Sequence, residues 1–227
     1  MTNNIVKFIR KNGGYFGIVG AIVITISALF SYFFNTILNP DFTIMTRAVS
    51  DLATGPKISS IVYSTGLIIA SFCQYPLYFS LIKFLRQDQN HFLLIKATEL
   101  TTLISIVSHN VVSLFPFDRS ILVIYLIHGI AAVFHYVVGS FTLVLYGIIE
   151  ILSKRVPKIY ILISIISGAF YGIVWIGYII FFIFGGSEIV INHSVQWIAF
   201  AGIIFWSLMQ GILLTKVKKQ SWYAKID

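Results

Sequence analysis

The residues of this sequence that could do chemistry inside a protein are a small set of histidines and aspartates. His109 and His128 lie within long apolar segments, whereas Asp51, Asp118 and His193 lie near the ends of such segments. Histidine and carboxylate groups are ligands that zinc accepts, and a zinc-bound water can become a nucleophile. Because ionisable groups are costly in apolar surroundings, they often mark functional sites. These five residues are therefore the first candidates for a site.

Three interpretations of this set stay open. None of the spacings is an HxxxH or HExxH pair of the kind that binds zinc on one helix. His128 and His135 are two helical turns apart, too far to share one ion, and Asp118 could simply cap a following helix. The set is then a zinc site of Asp51, His109 and His128, a group of hydrogen-bonded packing histidines, or a polar ligand pocket. The sequence favours no cofactor, and zinc is the alternative.

The composition shows what surrounds these residues. Of the 227 residues, 58% are hydrophobic and 11% are charged, whereas soluble domains carry roughly a quarter charged residues. The chain therefore cannot build a water-facing surface, and its solvent must be lipid. The net charge of +8 indicates anionic lipid headgroups rather than nucleic acid, because Lys and Arg cluster beside the apolar segments. Cys73 is the single cysteine, which excludes an intrachain disulfide and a cysteine-based zinc site.

Six apolar runs are long enough to cross a bilayer as helices. A span needs about 20 mostly apolar residues at a rise of about 1.5 Å per residue. The runs cover residues 15–35, 58–83, 94–116, 120–149, 159–184 and 190–214. The first follows basic residues as in a signal peptide, but it is too long for one and no cleavage site follows it. The sequence therefore predicts an all-α polytopic membrane protein, a six-helix bundle that forms a single membrane domain over residues 1–227.

The basic residues predict the orientation of this bundle. With the N-terminus inside, thirteen Lys and Arg residues are cytoplasmic and three are outside. The cytoplasmic set is Lys7, Arg10, Lys11, Lys83, Arg86, Lys96, Lys154, Arg155, Lys158, Lys216, Lys218, Lys219 and Lys225, and the outer set is Arg47, Lys57 and Arg119. This bias follows the positive-inside rule. We therefore expect a multi-pass protein of the cell membrane with both termini in the cytoplasm.

Polar residues on three spans form faces that predict a shared interior. The faces are Ser64, Ser71, Gln74 and Tyr78 on span two; Glu99, Thr102, Ser105, His109, Asn110 and Ser113 on span three; and His128, Ala131, Ala132, His135, Gly139 and Thr142 on span four. His109 and His128 both lie about two turns below the outer ends of their spans, so we expect their rings to approach each other. The predicted ligand pocket in the outer leaflet comprises Ser50, Asp51, His109, Asn110, His128 and His193.

Two further expectations concern the ends of the spans. The first outer loop, from about Thr36 to Lys57, is too long for a simple turn, and long loops in compact bundles are often functional. We expect it to fold back over the bundle, with Ser50 and Asp51 capping a short turn. Glu99 follows Lys96 by three residues near the cytoplasmic end, and this spacing predicts an ion pair between them.

The first outer loop also carries a family resemblance. Residues 49–56 are VSDLATGP, which resembles the Ser-Asp-x-(small)-Thr-x-Pro element of the Frag/DRAM/Sfk-type membrane proteins. In that family the element likewise lies in the first outer loop, just before span two. A second element of the family is similar to Asn110, Phe115, His128, Ala131 and Ala132 of spans three and four.

The same layout is similar to a prokaryotic six-span family of unassigned activity, domain of unknown function nine-nine-eight. The segment 115–118, FPFD, looks more like this prokaryotic group than the eukaryotic one. The eukaryotic relatives are linked with lipid remodelling, lipid distribution and autophagy regulation, and no agreed catalytic mechanism transfers. The resemblance therefore implies a six-span architecture, a shared outer pocket and a lipid-related role.

These observations lead to one preferred function and two alternatives. We expect a non-enzymatic integral membrane protein that binds or senses a lipid or amphiphile in a polar pocket of the outer leaflet. The first alternative is a metal-dependent membrane hydrolase that acts on a lipid, with Asp51, His109 and His128 as metal ligands. The second is a small transporter, although paired broken spans and a clear repeat are missing from the sequence. Membrane lipid is the expected partner.

Overall fold

A computed structural model describes the backbone of residues 2–86, 91–116, 120–184 and 190–223, and side chains within 8–9, 11–86, 91–116, 120–177 and 193–217. The elements are α1 (Thr2–Leu38), a short 3-10 helix η1 (Val49–Ala53), α2 (Lys57–Arg86), α3 (Phe92–Leu114), α4 (Leu122–Leu152), α5 (Lys158–Phe184) and α6 (Val190–Tyr223). Within the described residues, all six α-helices are long and apolar enough to cross a membrane, and there is no strand. The predicted all-α six-span architecture is confirmed.

The six helices form a closed ring. Each helix packs against the helix before it and the helix after it, and α6 returns to pack against α1. Helix α2 also touches α6 across the interior, and the contact of α1 with α2 is the most extensive. The connections after α2 are short, which favours packing between antiparallel neighbours in this order. The ring encloses an interior that every helix can line.

Close backbone contact between α1 and α6 completes the ring. A Cβ atom on Gly14 would lie 2.7 Å from the carbonyl oxygen of Gly211, and a Cβ on Gly211 would lie 2.7 Å from that of Gly14. Only glycine at both positions allows this approach, which is how membrane helices gain van der Waals contact. Gly14 is in the first half of α1 and Gly211 in the second half of α6, so the start of α1 and the end of α6 lie at the same end of the bundle.

The two ends of the bundle differ in chemistry, and we name them the η1 end and the basic end. The η1 end holds η1, while the basic end holds the start of α1, the end of α6, the facing ends of α2 and α3, and the α4–α5 connection. At the basic end the carboxylate of Glu99 pairs with Lys96 at 3.0 Å and also with Arg86. The predicted Glu99–Lys96 pair is thus confirmed.

The first loop folds back over the bundle, as predicted. Leu52 of η1 is fully buried, and Phe42 is buried in the same apolar cluster. The indole Nε1 of Trp197 on α6 donates a hydrogen bond of 2.9 Å to the carbonyl oxygen of Arg47. The loop therefore packs against the helices at the η1 end and is hydrogen-bonded to α6.

An aromatic core closes the interior towards the basic end. Trp206 and Tyr146 are fully buried, and the ring of Tyr78 lies 5.0 Å from that of Trp206 and 5.6 Å from that of Tyr146. Aromatic side chains bury about 150 to 250 Å² each, so these three rings fill much of the space between the helices. The space between this core and η1 is where the site lies.

Candidate functional site

A cavity of about 850 Å³ lies inside the ring. Helices α1, α2, α3, α4 and α6 contribute its walls, η1 contributes to one end, and Tyr171 is the contribution of α5. Ligand pockets typically have volumes of about 300 to 1,000 Å³. The cavity is therefore large enough for one small amphiphile.

The lining of the cavity is apolar on some helices and polar on others. Helix α1 contributes only apolar or glycine positions, including Phe16 and Ile24, whereas α3 and α4 contribute histidines. Among the described residues, the lining includes no Lys or Arg, and its single carboxylate is that of Asp51. A ligand inside the cavity therefore meets hydrogen-bonding groups without any fixed positive charge from the described lining.

His109 is buried between α2 and α4. Its Nδ1 lies 3.0 Å from Oε1 of Gln74, and its ring centroid is 4.6 Å from that of His135. An amide oxygen can only accept, so Nδ1 of a neutral His109 carries the proton. The other ring nitrogen, Nε2, is then an acceptor on a side chain that lines the cavity.

His135 is held by two partners on neighbouring helices. Its Nδ1 faces the carbonyl oxygen of Ser105 at 3.4 Å, and its Nε2 lies 3.1 Å from the hydroxyl of Tyr171. Because a carbonyl only accepts, Nδ1 carries the proton and Tyr171 donates its hydroxyl to Nε2. The imidazole that touches His109 is therefore fixed in orientation by α3 and α5.

His128 lies about two helical turns from His135 along α4, towards the η1 end. Its Nδ1 donates to the carbonyl oxygen of Phe115, at the end of α3, over 2.6 Å. The carboxylate of Asp51 is near enough to interact with this imidazole electrostatically. The sequence placed His128 beside His109, and both do line the cavity, but the ring in contact with His109 is that of His135.

Asp51 has a structural bond as well as a place in the cavity wall. Its Oδ2 accepts a hydrogen bond of 2.9 Å from the backbone N–H of Ala48, at the start of η1. Ser50 and Asp51 both line the cavity, as does His193 at the start of α6, whose Nδ1 is buried with no partner among the described residues. Five of the six predicted pocket residues thus face one cavity.

Asn110 is the sixth predicted pocket residue, and it lies at the α2–α3 interface instead. Its Oδ1 accepts from Ser71 at 2.7 Å, and its Nδ2 donates to Tyr75 at 2.8 Å and to the carbonyl oxygen of Ile106 at 2.9 Å. One residue further along a helix turns the side chain by about 100°, which moves Asn110 away from the face of His109. Asp118 lies outside the described residues.

No three His, Cys, Asp or Glu side chains of the described residues are grouped closely enough to hold one metal ion. Asp51 is engaged with η1, and His109, His128 and His135 each use one ring nitrogen on a protein acceptor. What the arrangement does offer is a set of neutral hydrogen-bonding groups on rigid helices.

Three residues of the site were not among the predicted pocket residues. Gln74 and His135 were placed on polar faces, but which helix each face would meet depends on helix rotation, which periodicity does not give. Tyr171 had no sequence signal because it is one of several tyrosines in apolar runs. Because buried polar groups are hydrogen-bonded, each buried histidine could have been expected to pair with an acceptor on another span, and this expectation could have identified its neighbours.

Compared with known proteins, the chain matches no family model, no curated protein and no solved structure. The class that the structure itself defines is an integral membrane protein of six helices around an internal cavity.

Proposed function

We propose that this protein binds an uncharged amphiphile with a hydroxyl-bearing headgroup in its central cavity, without covalent chemistry. The observation that carries the proposal is the cavity of about 850 Å³ whose described lining combines apolar helices with neutral histidines and no basic residue. The loop element that resembles the Frag/DRAM/Sfk-type proteins forms η1 and borders this cavity. That resemblance supports a lipid as the ligand.

The headgroup chemistry follows from the protons on the histidines. With Nδ1 of His109 bonded to Gln74, the remaining nitrogen accepts and needs a donor from the ligand. A phosphate or carboxylate offers acceptors and a negative charge, which basic residues normally recognise. The cavity lining offers the carboxylate of Asp51 instead, which repels an anion. A hydroxyl group satisfies the acceptor and carries no charge.

The N-terminal half of α4 supports access from the bilayer rather than from water. Between Leu122 and Val138, the buried residues are His128 and Ala131. A Cβ on Gly129, which lines the cavity, would meet no described atom within 4 Å. The loosely packed α4 wall contrasts with the η1 end, where the first loop covers the bundle. A lipid dissolved in the membrane can therefore reach the cavity sideways.

The orientation belongs to the same proposal. Thirteen of the sixteen Lys and Arg residues were assigned to the basic end, which the positive-inside rule assigns to the cytoplasm. The η1 end and the N-terminal half of α4, through which the ligand enters, then lie in the outer leaflet of the cell membrane. The ligand is accordingly a lipid of that leaflet.

The test compares two lipids that differ only in the headgroup. A monoacylglycerol and the lysophosphatidic acid with the same acyl chain are added to the purified protein in detergent, and thermal unfolding is measured. A ligand that binds the folded state raises stability in proportion to ln(1 + [L]/Kd). We expect monoacylglycerol to raise the melting temperature and lysophosphatidic acid to have no effect. Equal stabilisation by both lipids, or by neither, contradicts the proposal.

A matched pair of glycine variants locates the binding. Gly129→Trp fills open space in the cavity, while Gly177→Trp fills open space on α5 outside the cavity lining, where a Cβ also meets no described atom within 4 Å. The first should abolish the lipid-induced stabilisation and the second should preserve it. Stoichiometric zinc in the purified protein, lost in both His109→Ala and His128→Ala, would instead support the metal-dependent hydrolase.

A further inference from the structure

A second polar cluster lies at membrane depth near the basic end, separate from the cavity. Glu150 of α4 and Gln210 of α6 are both fully buried. Nε2 of Gln210 donates to Oε1 of Glu150 at 2.8 Å and to Oγ of Ser164 on α5 at 3.0 Å. The amide of Gln210 therefore joins α4, α5 and α6. Glu150 was not among the predicted site residues, because it follows directly after the predicted span 120–149.

The hydrogen bonds within this cluster leave two of its oxygen atoms unsatisfied. The Oγ of Ser164 accepts from Nε1 of Trp206 at 2.8 Å and from Nε2 of Gln210 at 3.0 Å, and the Ser164 side chain interacts with the Glu150 carboxyl. Oε2 of Glu150 and Oε1 of Gln210 are left buried without a partner among the described residues. Buried oxygens are rarely left without a hydrogen-bond donor, and an ionised Glu150 would also need a positive charge beside it.

No basic side chain of the described residues supplies that charge. The ion pairs in the described part of the chain both involve Glu99, and none reaches Glu150. At this end of the bundle, exposed positions hold Lys154, Arg155, Lys158 and Lys216. The other titratable group that interacts with Glu150 is the phenol of Tyr146, one turn earlier on the same helix. A buried carboxylate without a cation is so costly that the group takes up a proton instead.

We propose that Glu150 is a proton-binding site at the junction of α4, α5 and α6. The folded protein holds one proton on Oε2 of Glu150, and this O–H donates to Oε1 of Gln210 while Nε2 of Gln210 donates back to Oε1 of Glu150. This acid–amide pair satisfies both unpartnered oxygens and removes the buried charge. Since it uses no cavity residue, the site is independent of the amphiphile.

The first measurement uses the wild-type full-length protein in detergent at neutral pH. Infrared spectroscopy detects the carbonyl stretch of a protonated carboxyl group separately from the bands of carboxylates. We expect one such band, sensitive to exchange into heavy water, in the wild type and in Glu99→Gln, and its loss in Glu150→Gln. Glu99→Gln is the matched control because its carboxylate is paired with Lys96 and Arg86. Absence of the band from the wild type overturns the proposal.

The second measurement is stability against pH, and its sign is fixed. If the folded protein binds one more proton than the unfolded chain, the free energy of unfolding falls as the pH rises. The folding equilibrium constant should drop roughly tenfold per pH unit between the pKa of the glutamate in the unfolded chain and its pKa in the folded protein. Glu150→Gln should remove this dependence. A wild-type stability that rises with pH contradicts the proposal. Stabilisation by sodium chloride but not by choline chloride also overturns it, because the cation is then sodium.

Discussion

At the scale of single residues, polar side chains in the bundle connect one helix to the next. Asn35 of α1 donates to the hydroxyl of Ser59 on α2 at 2.7 Å, and the hydroxyl of Ser31 donates to the carbonyl oxygen of Ser59 at 2.8 Å. Asn110 does the same between α3 and α2. Lipid offers no hydrogen bonds, so such groups are satisfied within the protein. These bonds set the rotation of each helix, and that rotation decides which side chains line the cavity.

Asp51 should be important for the stability of the η1 end. The Asp51→Ala variant leaves the N–H of Ala48 without its acceptor, and loss of such a cap costs about 1 kcal/mol. We expect a melting temperature a few degrees below that of the wild type in detergent. Asp41→Ala is the control, because Asp41 is exposed in the same loop. Unchanged melting of Asp51→Ala would argue against a structural role for its carboxylate.

The site residues illustrate what sequence reasoning can and cannot give at this scale. Residue type and depth were enough to bring Asp51, His109 and His128 into one pocket. They were not enough to identify His135 as the ring beside His109, because His128 and His135 lie two turns apart on the same face of α4 and a shift of two turns between α3 and α4 exchanges them. Glu150 was missed since hydropathy treats a charge at the end of an apolar run as a boundary.

At the scale of elements, the loop before α2 acts as a fixed part of the bundle. It is attached by the Trp197–Arg47 hydrogen bond, by burial of Phe42 and by the contact of the Tyr32 ring with Trp197 at 5.6 Å. Loop length alone predicted a folded loop, but its attachment to α6 depends on a residue about 150 positions away. Contacts between such distant positions leave no local pattern.

The same Trp→Phe substitution at two positions tests the attachment of the loop to α6. Trp197→Phe keeps an aromatic ring but removes the N–H that Arg47 accepts, which should cost about 1 kcal/mol and loosen the loop. Hydrogen exchange of residues 39–48 should become faster. Trp175→Phe is the control, because the Trp175 indole N–H is buried without a partner among the described residues. Faster exchange of the loop in the control as well would show that the hydrogen bond is not responsible.

The helices themselves were the most predictable elements. Apolar length gave all six, because a backbone in lipid must satisfy its own hydrogen bonds and a helix does so over any long apolar run. Most observed ends differ from the predicted spans by a few residues: α3 ends at Leu114 instead of residue 116, and α4 begins at Leu122 instead of residue 120. The exceptions are α1, which begins at Thr2 instead of residue 15, and α6, which ends at Tyr223 instead of residue 214. The α2 helix continues through Pro76, as membrane helices tolerate.

At the scale of the whole molecule, the expected orientation can be tested with single cysteines. Replacing the buried Cys73 with alanine gives a background without thiols, into which Asn4→Cys, Lys225→Cys or Asp41→Cys is introduced. With the basic end in the cytoplasm, an impermeant thiol reagent outside intact cells should label the cysteine at position 41 and neither tail. Labelling of a tail in intact cells would reverse the orientation, and with it the assignment of the cavity to the outer leaflet.

The glycine contact that closes the ring has a consequence for how the molecule is made. Gly14 and Gly211 are about 200 residues apart, and synthesis at roughly 5 to 20 residues per second separates them by some tens of seconds. During that interval each new helix finds its neighbour already inserted, whereas the Gly14 face of α1 stays open to lipid. Of these six helices, the one that is synthesised first is therefore among the last to gain all its neighbours. Until α6 arrives, that narrow face is where a wrong helix, or an assembly factor, can bind.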